Sequence, residues 1–425
     1  MTTGLLAQLT ARGIVEHCSD AAALDKLFNT ETVAFYTGYD PTAASLQIGN
    51  LFAIVTMRRL QLAGHKPVVI VGGATGMIGD PSGKSVERVL LSAATVEKNI
   101  AAQKKQFQKL LDFDDPKNGA LLLNNYDWLG KFSFIDFLRE VGARFRLGEM
   151  LAKESVKRRL ESPVGLSFTE FCYQLLQSYD FCHLRREYGV KLQVGGADQW
   201  GNIAAGIDYT RKSGAEVFGL VVPLVTDANG KKFGKSEGGT IYLDPNVTSP
   251  YQMYQFLLNA EDAMVVKYLN YFTFLPDADV AELARLTQTA PEKRAAQKAL
   301  AGEVVRMVHG AEGLSAAENA TKIFFGAKIE NLSDAQLNGI FADVPAVALP
   351  RGDLDAGIKL VDLLAQTPLF ASKGEARRSL QQNGVTLNNE KIADADKTIT
   401  AADLASETLL VLRKGKKSYC LARFA

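Results

Sequence analysis

Three polar side chains, Tyr173, Gln177 and Asp180, stand at i, i+4 and i+7 within the stretch Leu166–Phe181. A helix there carries all three on one face. A polar stripe among apolar neighbours is costly when buried without partners, so this one should meet a polar ligand or water. Further on, Gly195-Gly196-Ala197-Asp198-Gln199 delivers glycines, an acid and an amide directly after an apolar run. Then Lys231-Lys232-Phe233-Gly234-Lys235-Ser236 places lysines around Phe-Gly and is followed by Gly238-Gly239, a pair able to hinge. That pattern reads either as a cationic lid over phosphates or as a solvated hairpin tip.

Two more stretches could do chemistry. Gly72-Gly73-Ala74-Thr75-Gly76-Met77-Ile78-Gly79-Asp80-Pro81-Ser82-Gly83 has glycines that let a backbone approach a phosphate or an amino acid, with Asp80 as a fixed negative charge. It is not a phosphate-binding GxxxxGK[ST] loop, because the glycine required at position 78 is Ile78. Nor is it GxGxxG, and Asp80-Pro81 falls where the helix of a dinucleotide fingerprint should already run. The other stretch is Phe35 to Asn50. Val33, Ala34 and Phe35 enter Tyr36-Thr37-Gly38 as a strand, Asp40-Pro41 breaks the pairing, and Leu46-Gln47-Ile48-Gly49-Asn50 leads into a helix. Such strand–turn–helix junctions bind ligands at the positive end of the helix.

The elements that must position these groups alternate. Apolar strand-like runs at Lys66–Val71, Leu121–Leu123, Val190–Val194 and Phe218–Val225 are separated by helical patterns at 95–111, 132–145 and 166–181. Alternation of this kind predicts an α/β domain with a parallel sheet. Residues 4–18 read as an amphipathic helix. Residues 249–326 read as helices without strands, 331–352 as a Pro/Gly-containing connector, and 354–425 as a small α+β unit. Basic residues on a helix (Arg377, Arg378) and after a strand (Lys414, Lys416, Lys417) suggest a phosphate-contacting face there.

With 425 residues the chain is long enough for two or three domains, and its net charge of +1 means any polyanion must be met by local patches. No apolar run is long enough to cross a bilayer, and the N-terminus lacks the pattern of a secretory signal. Cys18, Cys172, Cys182 and Cys420 are scattered, and the four histidines are not at metal-ligand spacing. A reduced, cytoplasmic setting and no protein-held metal are the expectation.

In their order along most of the chain, these stretches resemble the bacterial tyrosyl-tRNA synthetases, which are class I aminoacyl-tRNA synthetases. Tyr36 to Asn50 is similar to the first strand and first class signature, and Gly72 to Gly83 to the family's GGATGxIGDPSG loop. Asn125-Tyr126-Asp127-Trp128, Tyr173 to Asp180 and Gly195 to Asn202 also match. Lys232-Phe233-Gly234-Lys235-Ser236 resembles the second signature, KMSKS, and the terminal module resembles an S4 RNA-binding domain. One departure stands out. The usual His-Ile-Gly-His is here Gln47-Ile48-Gly49-Asn50, although both amides still donate hydrogen bonds.

The resemblance implies a Rossmann-like catalytic domain with a helical insertion over 1–240, and an all-α anticodon-binding domain over 241–330. A linker over 331–352 and an S4-like α+β domain over 353–425 would follow. It implies activation of L-tyrosine by ATP, with Mg2+, to tyrosyl-adenylate and pyrophosphate, then transfer to the 3′ end of tRNA(Tyr). Catalysis would fall to Thr42, Gln47, Asn50, Lys232 and Lys235. Tyrosine would meet Tyr36, Asp80, Tyr173, Gln177, Asp180 and Gln199. ATP would meet Gly38, Asp40, Gly49, Gly196, Asp198 and Lys235, and RNA would meet Arg377, Arg378, Lys414, Lys416 and Lys417. A homodimer through the insertion, which includes Phe132 to Phe145, is a further expectation. A silent relative that only binds RNA, and a synthetase for another aromatic amino acid, are the competing readings.

Overall fold

The computed structural model describes residues 4–82, 90–163, 165–236, 239–329, 332–342, 344–415 and 418–425. The chain divides into two compact units, residues 1–248 with 257–308, and residues 249–256 with 309–425.

The first unit is built on six strands: β1 (His17–Cys18), β2 (Ala34–Tyr39), β3 (Lys66–Val71), β4 (Leu121–Asn124), β5 (Leu192–Gly196) and β6 (Phe218–Val222). Their order across the sheet is β1-β6-β5-β2-β3-β4. All neighbours run parallel except β1, which lies antiparallel on β6. Parallel neighbours need crossover helices, which bury both faces, and this is why the strands read as continuous apolar runs. In β3, Pro67 to Val71 are all buried, as is the whole of β6. Outside this sheet, β7 (Lys235–Ser236) pairs antiparallel with β8 (Gly239–Thr240).

The chain leaves β2 for β3 and β4 on one side, then returns to β5 and β6 on the other. A sheet whose winding reverses between β2 and β5 opens a crevice at their carboxyl ends. Register puts Tyr36 opposite Gln193 and Phe35 opposite Leu192 at that reversal. Five helices bear on the crevice and its surroundings: α1 (Ile48–Leu62), α2 (Ala93–Leu110), α3 (Phe168–Tyr188), α4 (Trp200–Arg211) and α5 (Asp262–Phe272). Helix α3 starts where Ser167 Oγ accepts from the Glu170 backbone N–H, and ends at Gly189 with φ 66°. Tyr36, Val68, Ile70, Trp128, Phe181, Leu184 and Ile203 pack into one buried cluster between sheet and helices. Burial of each large side chain there contributes about 1.5–3 kcal/mol.

Several sequence expectations are corrected. Residues 4–18 hold a helix only over Leu5–Ala11. Gly13, with φ 72°, turns the chain, and His17–Cys18 pairs with β6 instead. The helix expected over 132–145 is Phe134–Glu140 followed by a 3-10 turn, Gly142–Arg144. Residues 249–326 are helical as read: the run Ala295–Phe324 breaks at Gly310, φ 76°, and only its approach, Pro291–Lys293, is a 3-10 turn.

Among its described residues the second unit holds seven strands: β9 (Ala346–Leu349), β10 (Ile358–Lys359), β11 (Val385–Leu387), β12 (Glu390–Lys391), β13 (Thr398–Ile399), β14 (Leu409–Lys414) and β15 (Ser418–Phe424). Five of them form a sheet ordered β12-β11-β14-β15-β9, and β10 pairs separately with β13. The stretch 331–352, read as a connector, therefore contributes β9, parallel to β15, and a helix, Asp334–Ile340. Leu337, Ile340 and Phe341 pack against Leu409, Val411 and Leu421. Short amphipathic pieces give weak periodicity, so only the tertiary partner reveals them. Among the described residues no helix is long and apolar enough to cross a membrane.

Candidate active site

A cavity of about 420 Å3 opens at the carboxyl ends of β2 and β5. Its lining brings together Tyr36, Asp80, Tyr173, Gln177, Asp180 and Gln199 with Thr42, Gln47, Asn50, Lys232 and Lys235, and with Gly38, Asp40, Gly49, Gly196 and Asp198. The i, i+4, i+7 stripe of α3 thus faces the cavity in full.

One end is closed by Asp180. Its carboxylate accepts from the Trp128 indole N–H at 2.7 Å and from the Asn125 amide at 3.0 Å. Burial raises its pKa to about 7 in spite of those two donors. Beside it the Tyr36 hydroxyl is buried and bonds to nothing. Burial, then the nearby Asp180 charge, pushes the Tyr36 phenol well above its usual range. A buried, unpaired hydroxyl costs about 1–3 kcal/mol, so this end lacks one hydrogen-bonding partner.

The floor is a polar network. Asn125 donates to Thr75 Oγ1 at 3.0 Å, Thr75 donates to Asp40 Oδ1 at 2.7 Å, and Tyr173 donates to Asp40 Oδ2 at 2.9 Å. Gly72 makes room for it, since a Cβ there would lie 2.1 Å from Asp40 Oδ1. Buried Asp80 accepts from Gln199 at 2.6 Å, and Gln199 in turn accepts weakly from Gln177 at 3.4 Å. Burial first, then the charges of Asp40, Asp80 and Asp180, raise the pKa of Tyr173 well above normal. These groups make the interior anionic, while Lys232 and Lys235, both exposed, stand at the other side. The arrangement suits a zwitterionic aromatic hydroxyl compound inside and polyphosphate outside.

The mouth is made by residues 41–50. Helix α1 begins after Gln47, whose backbone N–H donates to Asn50 Oδ1 at 2.9 Å. Asn50 therefore spends its oxygen on capping and keeps its N–H2 group for donation. Residues 46–48 pair with 241–243 through Leu243 N to Leu46 O, 2.8 Å, and Ile48 N to Ile241 O, 3.0 Å. That ties the signature segment to the chain just after the lysine loop.

Residues 29–326 match the family described as tRNA synthetases class I (W and Y), and residues 336–422 match the tyrosine--tRNA ligase SYY-like C-terminal domain. The tyrosine--tRNA ligase 1 of Bacillus subtilis (strain 168) is 48% identical over 425 residues, covering 99% of this chain and 100% of that protein. This chain belongs to the tyrosine--tRNA ligases. The ligase of Geobacillus stearothermophilus is likewise 48% identical over 423 residues, covering 99% of this chain and all of that one. Among solved structures, a C-terminally truncated mitochondrial tyrosyl-tRNA synthetase of Coccidioides posadasii matches with TM-score 0.66 and 34% identity, covering 75% of this chain and 92% of that one. A tyrosyl-tRNA synthetase from Archaeoglobus fulgidus, 19% identical with TM-score 0.55, shares the fold.

Viewed as a ligase of this class, the chain has residues behind the cavity mouth, of which Gln103 also lines the cavity, that motif spacing did not single out. Helix α2 presents Asn99, Gln103 and Gln106 at i, i+4 and i+7. They hold the mouth through Asn99 to Pro41 O at 2.8 Å, Gln103 to Ala43 O at 2.9 Å, and Gln106 to Ser45 Oγ at 3.2 Å. The same helical-stripe signal that singled out α3 was present in α2. Thr37 Oγ1, Gln103 Oε1 and Gln193 Oε1 also line the cavity side, buried and without partners. Strand alternation gives no hint of which polar residue a parallel strand turns to a ligand.

The basic residues of the second unit differ among themselves. Arg377 is exposed and pairs loosely with Asp396 at 3.5 Å, and Arg378 is exposed. Lys414 is engaged, donating to Glu375 at 2.6 Å and to Leu369 O at 3.0 Å with its ammonium 4.7 Å from the Phe370 ring centre. Lys416 and Lys417 lie outside the described residues, as does Gly83. Among the described residues no group of three or more His, Cys, Asp or Glu side chains could hold a metal ion.

Proposed function

We propose that this chain activates L-tyrosine with ATP and transfers the tyrosyl group to tRNA(Tyr). The observation that carries the reading is the unpartnered Tyr36 hydroxyl beside Asp180 at the closed end of the cavity. A substrate phenol placed there would donate to Asp180 and accept from Tyr36. An analogue without the hydroxyl would leave both groups unpaired. This family is the standing example of such discrimination, about 10⁵ against phenylalanine without editing.

The substrate ammonium would enter among Asp80, Tyr173 and Gln177, with Gln199 next to the carboxyl group. Tyrosine's carboxylate is already a nucleophile, so attack on the α-phosphate needs no proton-transfer residue. The site's work is positioning and charge stabilisation. Lys232 and Lys235 would meet the departing pyrophosphate, and Thr42 and Gln47 would donate to the phosphates. Asn50 and Gly49 at the start of α1, with Gly38 and Asp40, would meet the nucleotide. Asp198 and Gly196 would take the ribose. Mg2+ would arrive with ATP, without a protein cage.

For the second step, residues 241–330 would read the anticodon arm and the 353–425 module would add phosphate contacts from Arg377 and Arg378. Phe134, Ile135, Leu147, Leu160 and Phe168 are large apolar side chains left 51–69% exposed in the insertion. Their concentration supports a homodimer through this region. A cytoplasmic location follows from the substrates. Tyrosine-dependent ATP–pyrophosphate exchange by the pure protein tests the activation step, and charging of tRNA(Tyr) tests the transfer. Exchange with tyrosine and almost none with phenylalanine is expected. Absence of exchange, or equal use of both, overturns it.

A further inference from the structure

Phe233 sits between Lys232 and Lys235, and its ring packs against a set of rings on α5. Its centre lies 4.4 Å from that of Tyr268 and 5.4 Å from that of Phe272. Phe272 also meets Phe52 of α1 at 6.0 Å, and Phe52 stacks on Tyr271 at 4.3 Å with the planes 18° apart. Phe52, Tyr268, Tyr271 and Phe272 are all buried. One face of α5 thus grips both the helix that carries the first signature and the loop that carries the two lysines.

Backbone contacts reinforce the grip. Phe233 N donates to Val225 O at 2.9 Å, Tyr268 Oη donates to Thr226 O at 2.8 Å, and Thr226 bridges Lys232. Gly234 has φ 85°, and a Cβ there would fall 2.4 Å from Ile48 Cγ2, so the loop lies directly on the first turn of α1. Gly234 O accepts from Ile241 N, and Ile241 O accepts from Ile48 N, each at 3.0 Å.

We infer that Phe233 is a positioning residue. Seated on Tyr268 and Phe272, it sets where the ammonium groups of Lys232 and Lys235 stand relative to the start of α1. The inference deepens the proposed function and rests on it. Lysine is a flexible point charge with much rotamer freedom. Its usefulness to a leaving pyrophosphate depends on where its backbone is held. An aromatic side chain anchored in a buried cluster supplies that constraint.

The test is steady-state ATP–pyrophosphate exchange, with active-site titration to correct for misfolded protein, on wild type, Phe233→Ala, Phe233→Leu and Tyr268→Phe. Phe233→Ala should lower kcat about 10–100-fold and raise the KM for ATP, with the KM for tyrosine changed less than twofold. Phe233→Leu should recover most of the loss, and Tyr268→Phe should show a smaller defect of the same kind. Added to Lys232→Ala/Lys235→Ala, the Phe233→Ala change should cost almost nothing more, because it acts through those lysines. The inference is overturned if Phe233→Ala leaves kcat and the KM for ATP within twofold of wild type. A parallel rise in the KM for tyrosine, or full additivity with the lysine changes, overturns it too. Absence of exchange in wild type would instead sink the proposed function.

Discussion

The Tyr36 hydroxyl and the Asp180 carboxylate share one end of the cavity without bonding to each other. Asp180 is held by Trp128 and Asn125, and the Tyr36 hydroxyl has no hydrogen-bond partner. The pair is organised for a third hydroxyl. Tyr36→Phe should therefore separate stability from function. Removing an unpaired buried hydroxyl should leave the free protein as stable as before, or more so by up to about 1–3 kcal/mol. The preference for tyrosine over phenylalanine should fall by about 2–13-fold, the worth of one neutral hydrogen bond. Urea unfolding and exchange kinetics with both amino acids check this, and a less stable variant with unchanged preference would contradict it.

Asp180 gives a pH dependence of definite sign. Its folded pKa is raised to about 7, above an unfolded value near 3.9. Between those values the folded state binds more protons, so this group's contribution to stability falls as pH rises from about 4 to 7. Its full penalty stands above pH 7. Asp180→Asn should flatten that slope in unfolding experiments. In wild type the KM for tyrosine should rise as pH drops below about 7, because a protonated Asp180 offers an O–H where the substrate phenol must donate. A flat KM between pH 6 and 8 would count against the assigned contact.

Gln47 and Asn50 should respond differently to truncation. Gln47→Ala should slow pyrophosphate exchange, by about 10²–10³ if it is a full transition-state donor. Asn50 also caps α1 through its oxygen at 2.9 Å, so Asn50→Ala should lose about 1 kcal/mol of stability besides any rate effect. An unchanged exchange rate in Gln47→Ala would remove it from the reaction. Unfolding midpoints that do not separate the two variants would remove the capping role.

Point changes in the second unit probe RNA contacts more cleanly than truncation after residue 352. That cut would strand β9 and expose Leu337, Ile340 and Phe341, which pack on β14 and β15. Arg377→Ala with Arg378→Ala should spare pyrophosphate exchange and weaken tRNA charging. Lys414→Ala should in addition lower stability, since its ammonium holds Glu375 and Leu369 O. Equal loss of both reaction steps in the arginine variant would contradict the division of labour.

Most of the catalytic fold was legible in the residue order. Buried parallel strands read as apolar runs, and glycines with acids at their ends announced the ligand side. The Tyr173, Gln177 and Asp180 stripe declared its own face by helical spacing, and motif order was enough to place the chain in its family. Other features needed the assembled molecule. His17–Cys18 becomes a strand only because the edge of β6 offers it hydrogen bonds, and 346–349 only because β15 does. The seat of Phe233 on α5, the amides of α2 under the mouth, and the Tyr36 hydroxyl left without a partner each depend on groups far apart in the chain. Local spacing reports which face a side chain takes; what waits there is decided by packing.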